Sequence, residues 1–152
     1  MKFTGSAYLA LGLLAAPCFA QAPQGAPAQQ AKPANSAFRA LVSEANAHIR
    51  HVDATELGHM IANHAAFVLI DVRETEEWTN GHAAGALHIG RGVLEPRIEA
   101  TVGDKDKRIV LYCAGGNRSA LAAESLQRMG YTNVWSLDGG FGAYKAAGLP
   151  VE

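Results

Sequence analysis

Apolar and polar positions change period along this chain, and the changes mark out its elements. Phe38, Leu41, Val42, Ala45 and Ile49 recur at helical spacing, which predicts an amphipathic helix with Ser36 as its cap. Residues 49–52 read as a short strand. Asp53 then stands as an N-cap with Glu56 three residues on, and Leu57, Met60, Ile61 and His64 make one face of the next helix. Residues 66–72 are apolar except for Asp71, as expected of a parallel strand covered on both sides. A helical turn over 74–79, closed by Asn80-Gly81, leads to a short strand at 86–89. Residues 93–102 read as a helix broken by Pro96, and 103–106 as a turn. The strand 108–112 precedes a helix with Ala122, Leu126 and Met129 on one face, stopped by Gly130. A fifth strand at 133–137, a sharp Asp138-Gly139-Gly140 turn and a helix over 141–147 complete the chain, with Gly148 and Pro150 beyond it.

Strands and helices alternate throughout. That order predicts an α/β fold: a three-layer domain around a mostly parallel sheet. Ligands in such sheets bind beyond the carboxyl ends of the strands. Cys113 stands at one such end, and Asp71 and Asp138 stand close to two others.

The first 35 residues have a different pattern. Lys2 is followed by an apolar run from Ala7 to Ala16 and then by Pro17-Cys18-Phe19-Ala20, which reads as a secretory signal cleaved before Gln21. The run is short for a membrane span. A lipoprotein with Cys18 acylated fits less well, because Pro17 occupies the place of a small residue; retention as an anchor is the other alternative. Residues 21–35 are almost wholly Ala, Gln, Pro and Gly and read as a disordered tether. Residues 36–152 then form the domain, with its core at about 51–149. The expected location is periplasmic or secreted.

Composition matters mainly through charge and cysteine. The net charge is −1, and no basic footprint for nucleic acid is present. Losing the signal removes Lys2 and no acid, leaving 12 basic residues against 14 acidic, or about −2. It also removes Cys18, so Cys113 becomes the one thiol. An internal disulfide and a Cys-x-x-Cys redox pair are then excluded. A single thiol in an oxidising compartment is a hazard unless used or shielded.

The segment Cys113-Ala114-Gly115-Gly116-Asn117-Arg118-Ser119 concentrates the chemistry. A cysteine ends a buried strand, a glycine pair turns the chain, and a helix begins. Free N–H groups at a helix start carry partial positive charge, and glycines let successive amides curl into an anion nest. Arg118 adds a full charge. Such surroundings favour a thiolate, the reactive form of cysteine. A buried structural cysteine is the plainer alternative. Arg118 either touches substrate or braces the loop against a carboxylate, and Ser119 either contacts the sulfur or caps the helix. Asp71 and Arg73 read as a structural pair at the strand end, a supporting layer of the site, with substrate contact as the alternative, and Trp78, Trp135 and Phe141 as core. His59 and His64 are five apart with no acidic partner, so no metal site is expected.

Four segments resemble the rhodanese domain, and specifically its single-domain exported members. They are Asp71-Val72-Arg73; Glu77-Trp78-Thr79-Asn80-Gly81-His82 with Gly85-Ala86; Cys113 to Ser119; and Leu137-Asp138-Gly139-Gly140-Phe141. The resemblance runs from about His51 to Leu149. It implies a three-layer rhodanese-like domain with a five-stranded parallel sheet flanked by helices, and a persulfide-forming Cys113 held by loop amides from Ala114 to Ser119. It implies a thiosulfate sulfurtransferase with no cofactor, its partners a small sulfur donor and a thiophilic acceptor, cyanide or a thiol, including a protein thiol. A low-turnover persulfide carrier and a phosphatase-like enzyme are the alternatives. Four residues separate Cys113 from Arg118, whereas the related phosphatases of this fold use five, usually after a His where Tyr112 stands. Two departures stand out. Ala83 and Ala84 replace larger residues, which implies looser packing, and Ala114 brings no charge to the loop.

Overall fold

The computed structural model describes residues 1–2 and 35–152. Nearly all of the signal and of the tether read from the sequence lies outside the described residues. The domain follows the order α1 (Ser36–His48), β1 (Arg50–Val52), α2 (Ala54–Ala62), β2 (Val68–Asp71), α3 (Thr75–Thr79), β3 (Leu87–His88), α4 (Leu94–Thr101), β4 (Ile109–Tyr112), α5 (Asn117–Arg128), β5 (Val134–Leu137) and α6 (Gly140–Ala146). A 3-10 turn at Arg91–Val93 leads into α4.

All five strands are parallel, in the order β1-β5-β4-β2-β3. The register aligns their carboxyl ends: Asp71 pairs with Tyr112, and Val52 with Leu137. Side chains alternate between the sheet's faces. Ile109, Leu111 and Cys113 pack with Ala45, Ile98 and Leu126 on one face; Val110 and Tyr112 pack with Leu57, Phe141 and Tyr144 on the other. This parity matters for the site. Cys113, two residues beyond Leu111, is directed to the α5 side.

Local signals explain most boundaries. Asp53 accepts a hydrogen bond from the Glu56 amide at 2.7 Å and starts α2. Glu74 and Glu77 form a capping box on α3. Gly130, at φ 92°, ends α5 as its amide and that of Tyr131 bond the carbonyls of Gln127 and Leu126.

Six expectations need correction. Ser36 is the first residue of α1, not its cap; Asn35 takes that place with φ 64° and no side-chain hydrogen bond. Phe38 and Leu41 stay exposed, because α1 buries only Val42 and Ala45. Pro96 does not break α4. It sits in the first turn, where its missing N–H would have no helical partner. His64 leaves the α2 face, lying past the helix end, exposed and at φ 51°. Trp78 and Trp135 are half-buried rather than core: Trp78 stacks with His82 and His88, and Trp135 lies under Arg50 and Arg108. Ala83 is fully buried, and its amide donates to the Tyr112 hydroxyl at 3.0 Å, so packing there is closed despite the small residue.

At Gly140 the backbone comes close to the loop after β4. A Cβ built there would lie 2.3 Å from the Cys113 carbonyl oxygen, and the φ of 55° also favours glycine. Gly140→Ala is expected to lower the unfolding free energy by about 2–4 kcal/mol, measured as a lower urea midpoint with an unchanged slope.

Candidate active site

The loop after β4 is held from outside. The Cys113 carbonyl accepts from the Phe141 amide at 2.7 Å, and the Ala114 carbonyl from the Gly142 amide at 3.1 Å. Across a trans peptide the N–H points opposite to the C=O. The amides of Ala114 and Gly115 are therefore turned away from α6. Gly116, at φ 97°, folds the chain back, and its amide donates to Cys113 Sγ at 3.2 Å. This is the loop's one direct amide contact to the sulfur among the described residues. The next amides, of Asn117, Arg118 and Ser119, are the first of α5, where no carbonyl lies one turn back to receive them.

Cys113 itself is only 1% exposed and borders the apolar cluster of the α5 face. Its sulfur nevertheless keeps polar company. The Ser119 hydroxyl lies 3.7 Å from Sγ, donates to the Gly116 carbonyl at 3.0 Å and is 2.9 Å from the buried Ser136 hydroxyl. Ser119 does not cap α5; Gly116 takes the cap position, and Ser119 sits in the first turn. Ala114, Gly115 and Asn117 are exposed around the sulfur.

Arg118 braces the loop. Its two terminal nitrogens bond both oxygens of Glu77 at 2.7 and 2.8 Å, and Glu74 lies 3.8 Å away. The Arg118 hydrogen bonds hold the Glu77 pKa down to about 2, and Glu77 raises that of Arg118 in return. Glu77 and Glu74 are thus site residues that motif reading did not assign. Their signal was the capping-box spacing on α3, which fixes both carboxylates on the turn facing the loop.

Asp71 and Arg73 form a second pair, fully enclosed. Arg73 donates to the Asp71 carboxylate at 2.6–3.0 Å and to the Gly81 carbonyl at 2.9 Å, and its guanidinium lies 4.2 Å from the Phe141 ring. It ties the end of β2 to α6, the helix that clamps the loop, and among the described residues makes no hydrogen bond to Cys113. Asp138 at the turn accepts from His51 Nδ1 at 2.7 Å. Burial opposes a charged His51, but the Asn46 carbonyl and Asp138 outweigh it and raise its pKa. Among the described residues no cluster of potential metal ligands is present.

Comparison with known proteins places this geometry. The rhodanese-like domain family matches residues 53–147. Over 98 residues the chain is 35% identical to the thiosulfate sulfurtransferase GlpE of Coxiella burnetii, covering 64% of this chain and 86% of that protein. It is 34% identical over 110 residues to the tRNA uridine(34) hydroxylase of Erwinia tasmaniensis, covering 67% of this chain but only 31% of that protein. A solved structure from Rhodopseudomonas palustris, described as of unknown function and a possible tyrosine phosphatase, superposes with TM-score 0.70 at 33% identity, covering 84% of this chain and all of that one.

The Arg118–Glu77 pair carries a pH signature. A carboxylate with a depressed folded pKa adds stability above its unfolded value and loses it as pH falls through the folded one. The stability gap between wild type and Glu77→Gln should be full at neutral pH and shrink as pH falls from 4.5 towards about 2, read by denaturation at each pH.

Proposed function

The chain belongs to the rhodanese-like domain family, and we propose that it is a sulfurtransferase that carries sulfane sulfur on Cys113 from thiosulfate or a similar donor to cyanide or a thiol. The observation that carries this reading is the sulfur at the start of α5, with the Gly116 amide on Sγ and the first-turn amides beside it. The Cys113 thiolate attacks the outer sulfur of the donor. A bond forms between Sγ and that sulfur as the donor's S–S bond breaks, and sulfite leaves with the electron pair. The persulfide's terminal sulfur bears the negative charge, and fixed dipoles stabilise it without reorganising. Ala114 to Ser119 form the cradle. Arg118 positions it through Glu77, while Asp71 and Arg73 support the strand end behind it.

Phosphate transfer is disfavoured by the same geometry. Four residues between Cys113 and Arg118 make a short cradle, and both terminal nitrogens of Arg118 are already engaged by Glu77. A tetrahedral dianion would need that guanidinium for itself. The tRNA uridine(34) hydroxylase is about three times the matched length, and the chain spans 31% of it. No helix of the described residues is long and apolar enough to cross a membrane. The N-terminal pattern supports periplasmic or secreted action, with Cys113 then the one thiol of the mature chain.

Intact-mass measurement after thiosulfate treatment tests the assignment. Wild type should gain one sulfur and Cys113→Ser none; equal labelling of both would remove Cys113 from the mechanism. Arg118→Ala should keep the fold but use donor less well, seen as a fall in kcat/KM for thiosulfate by about tenfold or more as the loop loses its brace.

A further inference from the structure

A groove of about 260 Å3 lies between α1 and the start of α5, lined by Phe38, Arg39, Val42, Ser43, Asn46 and Asn117. Asn117 belongs to the Cys113 loop and is the first residue of α5, so the groove abuts the site. Its other wall is α1, which precedes the family-matched residues 53–147.

The lining has the makings of a recognition surface. Arg39 is exposed and makes no ion pair among the described residues, and the first 35 residues contain no Asp or Glu that could supply one. The side chains of Ser43, Asn46 and Asn117 are exposed and make no hydrogen bond among the described residues. Phe38 and Val42 add an apolar floor. One cation, several uncommitted polar groups and a short apolar strip suit a small molecule with a carboxylate on a short carbon chain. The volume is near the lower end for ligand pockets, too small for a folded partner's core.

The wall is also fixed relative to the sulfur. His51 bonds the Asn46 carbonyl through Nε2 at 3.0 Å and Asp138 through Nδ1 at 2.7 Å. Both partners are acceptors, so the ring binds both only when each nitrogen carries a proton. Asp138 leads directly into the Gly139-Gly140 turn and the amides that clamp Cys113. Thus α1 is pinned to the segment that positions the loop.

We propose that this groove is the acceptor subsite and takes a low-molecular-weight thiol bearing a carboxylate, which Arg39 binds. The inference rests on the sulfur-carrying role of Cys113. The acceptor thiolate attacks the terminal sulfur of the Cys113 persulfide. A new S–S bond forms on the acceptor, the bond to Sγ breaks, and its electron pair returns to Cys113 as thiolate. The acceptor leaves as a persulfide, with no external oxidant or reductant.

The test uses the full chain, thiosulfate as donor, and four acceptors: cyanide, 2-mercaptoethanol, 3-mercaptopropionate and cysteamine. Wild type should prefer 3-mercaptopropionate to the neutral and amine-bearing thiols in kcat/KM. Arg39→Ala should raise KM for 3-mercaptopropionate by about tenfold, with cyanide turnover unchanged. Arg39→Glu should invert the order in favour of cysteamine. Unaltered thiol preference in both variants, with cyanide turnover intact, would overturn the subsite. A uniform loss across all acceptors would also overturn it, since Arg39 would then be acting on the fold. Absence of sulfur on Cys113 of the wild type would instead defeat the underlying sulfur-transfer reading, and the subsite with it.

Discussion

Two backbone hydrogen bonds, from the first turn of α6 to the carbonyls of Cys113 and Ala114, hold the site in shape. They orient the loop by a simple geometric rule. A trans peptide whose carbonyl is drawn outward presents its amide on the opposite side. The approach is close enough that only a residue without Cβ fits at position 140. The position of the Cys113 sulfur thus depends on a turn far away in the sequence, and the glycine pair in that turn holds the loop as much as the loop's own residues do.

Charge in the site is managed by engagement. Arg118 is bound to Glu77 and Arg73 to Asp71, so neither cation is left loose beside the sulfur. What faces Sγ directly is a neutral amide and a neutral hydroxyl, those of Gly116 and Ser119, with the helix start behind them. Partial charges of this kind suit a single negative charge on sulfur, in thiolate or persulfide form. The two pairs also differ in kind. Arg73 and Asp71 are almost wholly enclosed, so removing one partner strands a buried charge at a cost of about 3–5 kcal/mol. Arg118 and Glu77 are roughly one-third exposed, so water screens their attraction and the pair acts chiefly by holding the loop in place.

The sheet supplies direction. Alternation along β4 sends Ile109, Leu111 and then Cys113 to the face covered by α1 and α5, while Tyr112 goes to the α6 face. One residue more or less in that strand would turn the thiol away from the helix that starts beside it. The same parity places the sulfur at the edge of an apolar cluster, which hides it from bulk solvent.

The sequence by itself determined the alternation of strands and helices, the parallel three-layer class, the loop around Cys113 and the glycine turn that proved to clamp it. Those features are written in short-range terms: apolar period, capping residues, and glycines where the backbone needs left-handed angles. The tertiary structure alone decided the choices between distant partners. It bound Arg118 to Glu77, gave the cap of α5 to Gly116 in place of Ser119, and left Phe38 and Leu41 uncovered. It also set His51 between α1 and Asp138. The periodicity of α1 marks which residues share a face, but not how much of that face a neighbour will cover. A guanidinium can reach several carboxylates on paper, and only the packing of α3 against the loop brings one of them within hydrogen-bond distance.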